Sequence, residues 1–182
     1  MTAAPGPLVL VAGIGNVFLG DDGFGVEVIA ALDRGALPAA VRVTDYGIRG
    51  VHLAYDLLDG EYQTLIMVDA APVGGPPGEL AVLRVDPGSA AAGALPGRAP
   101  VDGHAMDPQA VLGALARLGG QVSRVFVVGC QPAVLAERMG LSEPVRGAVA
   151  EAARIVTELA IREAGRGRVA AGAAPGMERP GA

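Results

Sequence analysis

The sequence contains no lysine and no tryptophan, and its 182 residues include one cysteine and two histidines. All fourteen basic residues are therefore arginines, and without lysine the G-K-[ST] element of a phosphate-binding P-loop is excluded. The single cysteine, Cys130, excludes an intramolecular disulfide and a cysteine-rich zinc site. We expect Cys130 to be a small buried hydrophobic residue, in a protein of the reducing cytoplasm.

Positive charge and long apolar runs are also scarce. The net charge is −5, and only Arg166 and Arg168 form a tight basic cluster, so a nucleic-acid partner is disfavoured. The longest apolar stretches have the length of strands and are far too short to span a membrane. The first of them, LVLVAGI (8–14), runs directly into a GIGN turn and predicts a first strand, not a signal peptide.

Short runs typical of strands alternate with segments of helical spacing along the chain. Strands are predicted at 8–14, 41–46, 64–70, 79–85 and 123–130, and helices at about 22–32, 50–59, 107–118 and 143–164. A long Pro-, Gly- and Ala-rich segment covers about 86–103. The pattern predicts one domain over residues 1–164, followed by a disordered tail over 165–182.

This alternation predicts the fold class. Strands that alternate with helices favour a single three-layer α/β/α domain, with a mostly parallel twisted sheet of about five strands. In such sheets, ligands bind in the crevice outside the carboxyl ends of the strands. The side chains at those ends are therefore the first candidates for chemistry.

Acidic residues occupy three of these strand ends: Asp21 and Asp22 after the first strand, Asp45 in the second, and Asp69 in the third. Either residue of the Asp21–Asp22 pair can cap the following helix, which would not account for both. Asp69 closes a strongly apolar strand, where an unpaired charge is costly, so a functional role is favoured.

Two histidines are available to join the carboxylates. His104 follows the long irregular segment, where a solvated histidine is the ordinary outcome. His52 lies in a helix between core positions, and a structural role is favoured there. Carboxylate and imidazole ligands together would suit zinc, nickel or a similar divalent ion, or an acid–base pair.

Nucleotide and esterase motifs are absent. Gly13 and Gly15 fit the start of G-x-G-x-x-G, but the third glycine position is Phe18, and Asp21 and Asp22 would face a pyrophosphate with the wrong charge. No G-x-S-x-G nucleophile elbow is present either. We therefore expect no nucleotide or organic cofactor.

Four motifs occur in order along the chain: GIGNVFLGDDGFGVEVI, TDYGIRG, TLIMVDA and VVGCQPAVLAERMGLSEPV. They run over about residues 8–163, with a histidine after a variable loop. This ordered set resembles the nickel–iron hydrogenase maturation endopeptidases. It implies a protease that removes a short C-terminal extension from the hydrogenase large-subunit precursor after nickel insertion. The cut allows that subunit to close over its metal and to assemble with the small subunit.

By motif, the resemblance assigns the catalytic and metal-binding roles to Asp22, Asp69 and His104. It implies that Asp21 caps the helix while Asp22 turns toward the crevice. Asn16 is expected to brace the turn through its side-chain amide, and Asp45 to support the site. Residues 47–50 (Gly47, Ile48, Arg49 and Gly50) are expected to touch the substrate tail, where Arg49 could meet an acidic group.

Two mechanisms are compatible with these ligands. In one, the three residues recognise nickel supplied by the substrate, and Asp69 or Asp22 assists a water molecule; in the other, a bound ion activates the water. We favour the first, because the sequence has no H-E-x-x-H motif. The expected enzyme is an aspartyl- or metal-dependent endopeptidase of the cytoplasm, acting as a monomer.

Two alternatives remain. A non-proteolytic, metal-sensing maturation chaperone would use the same residues. A peptidyl-tRNA hydrolase also has a G-x-G-N turn, but it needs a basic face and a histidine soon after that turn, where this acidic chain has DDGFG.

Overall fold

The computed structural model describes residues 8–90 and 108–172, with side chains up to residue 88 and from 108 to 166. The five strands are β1 (Val9–Ile14), β2 (Val41–Gly47), β3 (Thr64–Ala70), β4 (Leu80–Val85) and β5 (Arg124–Cys130). The α-helices within these ranges are α1 (Phe24–Ala31), α2 (Gly50–Asp59), α3 (Pro87–Ala90), α4 (Pro108–Arg117) and α5 (Glu143–Gly172). Single 3-10 turns lie at Gly20–Gly23 and Arg34–Ala36.

The strands form one sheet in the order β2-β1-β3-β5-β4. The β1–β2, β1–β3 and β3–β5 pairs are parallel, and only the edge strand β4 runs antiparallel to its neighbour β5. In register, Val11 of β1 lies between Val43 and Ile66. The predicted α/β architecture with a mostly parallel five-stranded sheet is confirmed.

Each face of the sheet carries its own apolar core. Ile66 and Val68 of β3 belong to the core that α1 and α5 cover, while Leu65 and Met67 belong to the core under α2 and α4. Every residue of β3 is buried, including its polar ones. Burial on both faces explains why the central strands are continuous apolar runs without alternation.

Helix α1 lies unusually close to the sheet because of two glycines. A Cβ atom at Gly25 would lie 2.1 Å from the carbonyl oxygen of Val68 and 2.3 Å from that of Ile14. A Cβ atom at Gly13 would lie 2.3 Å from a side-chain carbon of Ile29. The helix therefore starts directly over the carboxyl ends of β1 and β3, at a distance that only glycine permits.

Two segments differ from the sequence-based expectation. The first helix begins with the 3-10 turn Gly20–Gly23 and becomes α-helical only at Phe24. Helix α5 continues to Gly172, so residues 165–172, expected to be a disordered tail, are helical. A helix that has already formed needs no new nucleus to extend, so it continues through GRGRVAAG although the three glycines there are poor helix formers. Residues 173–182 lie outside the described residues.

None of the helices within the described ranges is long and apolar enough to cross a membrane.

Candidate active site

The candidate site lies where the chain leaves β1 and β3 in opposite directions. From β1 it passes through α1 to β2 on one side, while from β3 it continues to β4 and β5 on the other. Gly13 pairs with Val68, so Ile14 and Asp69 are the next residues along the two strands. A reversal of strand order opens a crevice at the carboxyl ends of the strands, which is the usual ligand site of such sheets.

Asp69 lies in this crevice region as the second-last residue of β3. Its relative exposure is 4%, in a strand otherwise made of apolar residues and Thr64. By strand alternation it follows Leu65 and Met67 and lies on the face covered by α2 and α4. A buried carboxylate at a strand end is costly to maintain, which favours a functional role.

Asp22 lies in the 3-10 turn Gly20–Gly23, which packs against β3. One carboxylate oxygen, Oδ2, accepts a hydrogen bond of 2.7 Å from the backbone N–H of Asn16. Gly15 has a φ of +137°, and a Cβ atom there would lie 1.7 Å from the carbonyl oxygen of Asp22. The glycine at position 15 therefore allows the turn after β1, residues 15–19 and called the β1 turn below, to close against Asp22. The hydrogen bond from Asn16 fixes the Asp22 carboxylate from one side.

Asn16 braces the same turn, as expected. Its side-chain oxygen Oδ1 accepts a hydrogen bond of 3.0 Å from the backbone N–H of Phe18. This Asx-type turn aims the Asn16 N–H at Asp22. The residue thus contributes through both its side chain and its backbone.

Asp21 does not cap a helix, and that prediction is wrong. Neither the 3-10 turn nor α1 has a side-chain cap. The Asp21 carboxylate is fully buried and instead accepts hydrogen bonds from the segment between β5 and α5. The donors are Ala133 N (2.8 Å), Val134 N (2.8 Å), Ser142 N (2.6 Å) and Ser142 Oγ (2.9 Å).

These donors determine the charge state of Asp21. Burial alone would raise the pKa of its carboxyl group, but the hydrogen bonds from Ser142, Val134 and Ala133 outweigh burial and lower the pKa below the ordinary value. Hydrogen bonds to the ionised form favour that form. Asp21 is therefore a buried, ionised and fully engaged carboxylate.

The end of β2 forms a second turn beside the crevice. Asp45 Oδ1 accepts a hydrogen bond of 2.8 Å from the N–H of Gly47, whose φ is +53°. The Arg49 side chain donates to the carbonyl oxygens of Asp45 (3.2 Å) and Tyr46 (3.3 Å). Asp45 and Arg49 therefore shape the turn from which Ile48 projects, 64% exposed.

A groove of about 360 Å³ adjoins this turn, between β2 and α2. Its floor includes Tyr46, whose hydroxyl donates a hydrogen bond of 2.7 Å to Asp56. Burial, followed by that hydrogen bond, raises the pKa of Tyr46 well above its usual range. His52 is exposed on α2 and lines the groove, so it is not a core residue. The lining residues are Thr44, Asp45, Tyr46, Arg49, His52, Tyr55 and Asp56.

His104 lies outside the described residues. Four residues further along the chain, Pro108 begins α4. A Cβ atom at Gly120, just after α4, would touch Leu58 near the end of α2, so the two helices end side by side. Because α2 starts next to the end of β2, both helices begin near the carboxyl edge of the sheet. Over residues 8–90 and 108–172, no group of three His, Cys, Asp or Glu side chains could hold a metal ion.

Cys130 is the last residue of β5, and Gln131 follows it. The Cys130 thiol is fully buried, as predicted, and burial, followed by the charge of Asp21, raises its pKa to about 11. Gln131 Oε1 accepts hydrogen bonds from Val73 N (2.9 Å) and Gly74 N (3.2 Å), which ties the segment after β3 to β5. Sequence reasoning assigned no role to Gln131 or Ser142, although both lie in the late motif that carried the resemblance.

Comparison with known proteins agrees with this arrangement. A family profile described as hydrogenase maturation protease matches residues 26–159. The hydrogenase expression/formation protein HupD of Rhodobacter capsulatus is 38% identical over 152 residues, covering 80% of this chain and 70% of that protein.

Solved structures lead to the same family. The hydrogenase maturating endopeptidase HybD from E. coli superposes with a TM-score of 0.69 and 29% identity, covering 86% of this chain and 93% of that one. A hydrogenase 2 maturation peptidase from a Thaumarchaeota archaeon gives a TM-score of 0.60 and 32% identity, covering 83% and 96%. This chain therefore belongs to the hydrogenase maturation protease family.

Proposed function

We propose that this member of the family is the endopeptidase that removes the C-terminal extension from a nickel-loaded hydrogenase large-subunit precursor. The observation that carries the proposal is the placement of Asp22 and Asp69 on adjacent elements at the carboxyl edge of the sheet. Asp22 keeps its second oxygen, Oδ1, without a hydrogen-bond partner among the described residues. A carboxylate in that state can still bind a cation or accept a proton.

The donor chemistry fits nickel carried by the precursor. Asp22 and Asp69 supply oxygen ligands, and His104 would supply the imidazole, a ligand type that suits nickel. The chain reaches α4 four residues after His104, and α4 begins at this edge of the sheet on the face that also contains Asp69. We infer that the three side chains recognise the nickel site of the substrate, which makes metal insertion a condition for cleavage.

The bond-breaking step requires a water molecule and a base. We infer that Asp69 or Asp22 takes a proton from the water molecule while the oxygen of that water attacks the scissile carbonyl carbon. That carboxyl group then returns the proton to the amide nitrogen as the carbon–nitrogen bond breaks, and the C-terminal peptide is released with a free amino group. The buried surroundings of Asp69 would keep other water away from this step.

The substrate tail is proposed to pass over residues 47–50. Ile48 offers an exposed apolar side chain, and the adjoining groove offers Tyr55 and His52. The Arg49 guanidinium has five donor hydrogens, of which the two bonds to main-chain carbonyls leave several for an acidic group of the tail.

The family favours this protease over both alternatives. The family profile and the relatives reported above are hydrogenase maturation and formation proteins, which supports this protease over a peptidyl-tRNA hydrolase. A metal-sensing chaperone that does not cut remains the second candidate, because it would use the same carboxylates. We further propose that the protein acts in the cytoplasm as a monomer.

The test uses a nickel-loaded large-subunit precursor, with intact mass as the measurement. The native protein should release a C-terminal peptide from the loaded precursor and not from the nickel-free one, while Asp69→Asn should release none. Asp59→Asn removes an exposed carboxylate at the end of α2 and serves as the matched control. Nickel-dependent binding without any mass change would support the chaperone. Equal cleavage by Asp69→Asn would remove Asp69 from the mechanism.

A further inference from the structure

The chain between β5 and α5 crosses the carboxyl edge of the sheet without regular structure of its own. This β5–α5 segment covers residues 131–142, and most of it is exposed. Its one β-type contact with the β1 turn is an isolated bridge between Leu19 and Arg138. Something other than internal hydrogen bonding must therefore hold it in place.

The Asp21 carboxylate provides that attachment. It accepts three backbone N–H bonds and one hydroxyl bond, all from residues 112 to 121 positions away in sequence. Oδ2 accepts three of these bonds and Oδ1 accepts the fourth, and the side chain is fully buried, so the Asp21 carboxylate is directed at this segment. In this conformation Asp21 therefore holds the β5–α5 segment, although it directly precedes Asp22.

Backbone hydrogen bonds in both directions complete the junction. Asp21 N donates to Val134 O (2.9 Å), and Gly20 N donates to Arg138 O (2.8 Å). Arg138 N donates to Phe18 O (3.0 Å). Residues 18–21 are thus bound to the β5–α5 segment by both side-chain and backbone groups.

Asp22 lies between this junction and the β1 turn. Its backbone follows directly from Asp21, and its carboxylate is held on the far side by Asn16 N–H. Two anchors therefore determine where its open oxygen points, and only the Asn16 contact is local in sequence. Release of Asp21 would remove one of these anchors while leaving every group of Asp22 chemically intact.

We propose that Asp21 is a positioning residue for the cleavage reaction, acting through Asp22 by fastening the β5–α5 segment to the residues just before it. The expected effect on cleavage rests on the proposed function. The expected effect on the hydrogen bond between Asn16 and Asp22 does not depend on it.

The test compares two buried acids changed to amides. Asp21→Asn replaces an acceptor oxygen with an amide group that faces N–H donors. Glu163→Gln makes the same chemical change at the amino edge of the sheet, where Glu163 is 1% exposed and contacts Arg124. Cleavage of the loaded precursor and hydrogen exchange of the Asn16 amide are measured at a temperature where both variants are folded.

Asp21→Asn should lower kcat by about a hundredfold with KM changed less than about threefold, since small misplacements of a reacting group have effects of this size. Exchange at the Asn16 amide, which does not touch Asp21, should accelerate by about tenfold or more, because an opened contact exposes the N–H. Glu163→Gln should leave kcat and the exchange rate of the Asn16 N–H within about twofold of the native values, although it also lowers stability.

Ser142→Ala is a milder variant for the case that Asp21→Asn does not fold, because it removes one of the four donors to Asp21. It should lower kcat and accelerate exchange of the Asn16 N–H by about threefold each. Equal kcat in Asp21→Asn and Glu163→Gln, or unchanged Asn16 exchange, would overturn the inference. If neither the native protein nor Glu163→Gln cleaves, the proposed function is wrong, and Asn16 exchange alone then decides whether Asp21 positions Asp22.

Discussion

The two edges of the sheet use buried carboxylates in opposite ways. At the amino edge, Glu163 is surrounded by arginine: Arg124 lies 2.7 Å from one oxygen, and Arg162 and Arg166 lie 3.5 and 3.8 Å from the other. At the carboxyl edge, Asp21 and Asp22 are held by backbone N–H groups and, for Asp21, a hydroxyl group. Over the described residues, neither of these aspartates forms an ion pair with arginine.

This difference separates a structural use of charge from a functional one. An arginine neutralises a carboxylate, and in a low-dielectric interior it would also compete with any incoming cation. Backbone N–H dipoles stabilise the ionised form without cancelling its net charge. The carboxyl edge therefore keeps negative charge available for a cation, while the amino edge does not.

The largest effect is expected from changing Asp22, which tests whether the carboxyl edge uses its negative charge. Asp22→Asn should lower kcat by about a thousandfold, because the open oxygen loses its charge and its basicity. Asp22→Glu keeps the carboxylate and should retain much more of the activity. Thermal unfolding of both variants should stay close to that of the native protein, since Asp22 is only half-buried. Equal activity of Asp22→Asn and Asp22→Glu would show that charge at this position is not used.

The opposite edge should respond in stability and not in activity. Glu163→Gln removes the counter-charge of Arg124 and should lower the free energy of unfolding by about 2 kcal/mol. The loss is smaller than for a hydrogen-bonded buried pair, because neither Glu163 oxygen accepts a hydrogen bond from a described residue and Arg124 is 23% exposed and donates to Thr64. The contacts with Arg162 and Arg166 add little, since those side chains are more than half exposed. Urea unfolding measures this loss.

A change in stability below about 0.5 kcal/mol would mean that the Glu163 pair is balanced by its desolvation. Arg154→Gln is the matched control, because Arg154 pairs with Glu151 and Glu158 on the exposed face of α5. It should leave the free energy of unfolding nearly unchanged, because exposed ion pairs contribute little.

Acid unfolding should separate Asp21 from its neighbour. The pKa of Asp21 is lowered in the folded state, so its ionised form contributes stability above the unfolded pKa near 3.8. That contribution is lost as the pH falls through the folded pKa. Asp21→Asn should therefore destabilise the protein by about 2 kcal/mol at pH 7 and by progressively less below pH 3.8. A difference that stays constant from pH 7 to pH 3, by urea unfolding, would contradict this assignment.

The sequence predicts the sheet and the acidic residues at its strand ends better than it predicts which groups hold those acidic residues in place. Strands buried on both faces leave continuous apolar runs, and an acid at the end of such a run, as at Asp69, is conspicuous. The partners of Asp21 leave no comparable pattern. They are backbone N–H groups of Ala133, Val134 and Ser142, which any residue except proline could supply. A local rule such as helix capping therefore gave the wrong role for Asp21.

The smallest expected effect concerns Cys130, which lies close enough to Asp21 for the negative charge of Asp21 to raise its pKa. Its pKa is raised to about 11, first by burial and then by Asp21, and alkylation requires the thiolate. Iodoacetamide at pH 8 should therefore modify the native protein at least about a hundredfold more slowly than the urea-unfolded chain. The raised pKa also means that this thiol contributes stability below pH 9.0, which is lost as the pH rises toward 11. Asp21→Asn should speed native alkylation, because it removes a neighbouring negative charge and loosens the segment after β5. Equal rates in the native protein and in Asp21→Asn would show that the junction around Asp21 does not control access to the end of β5.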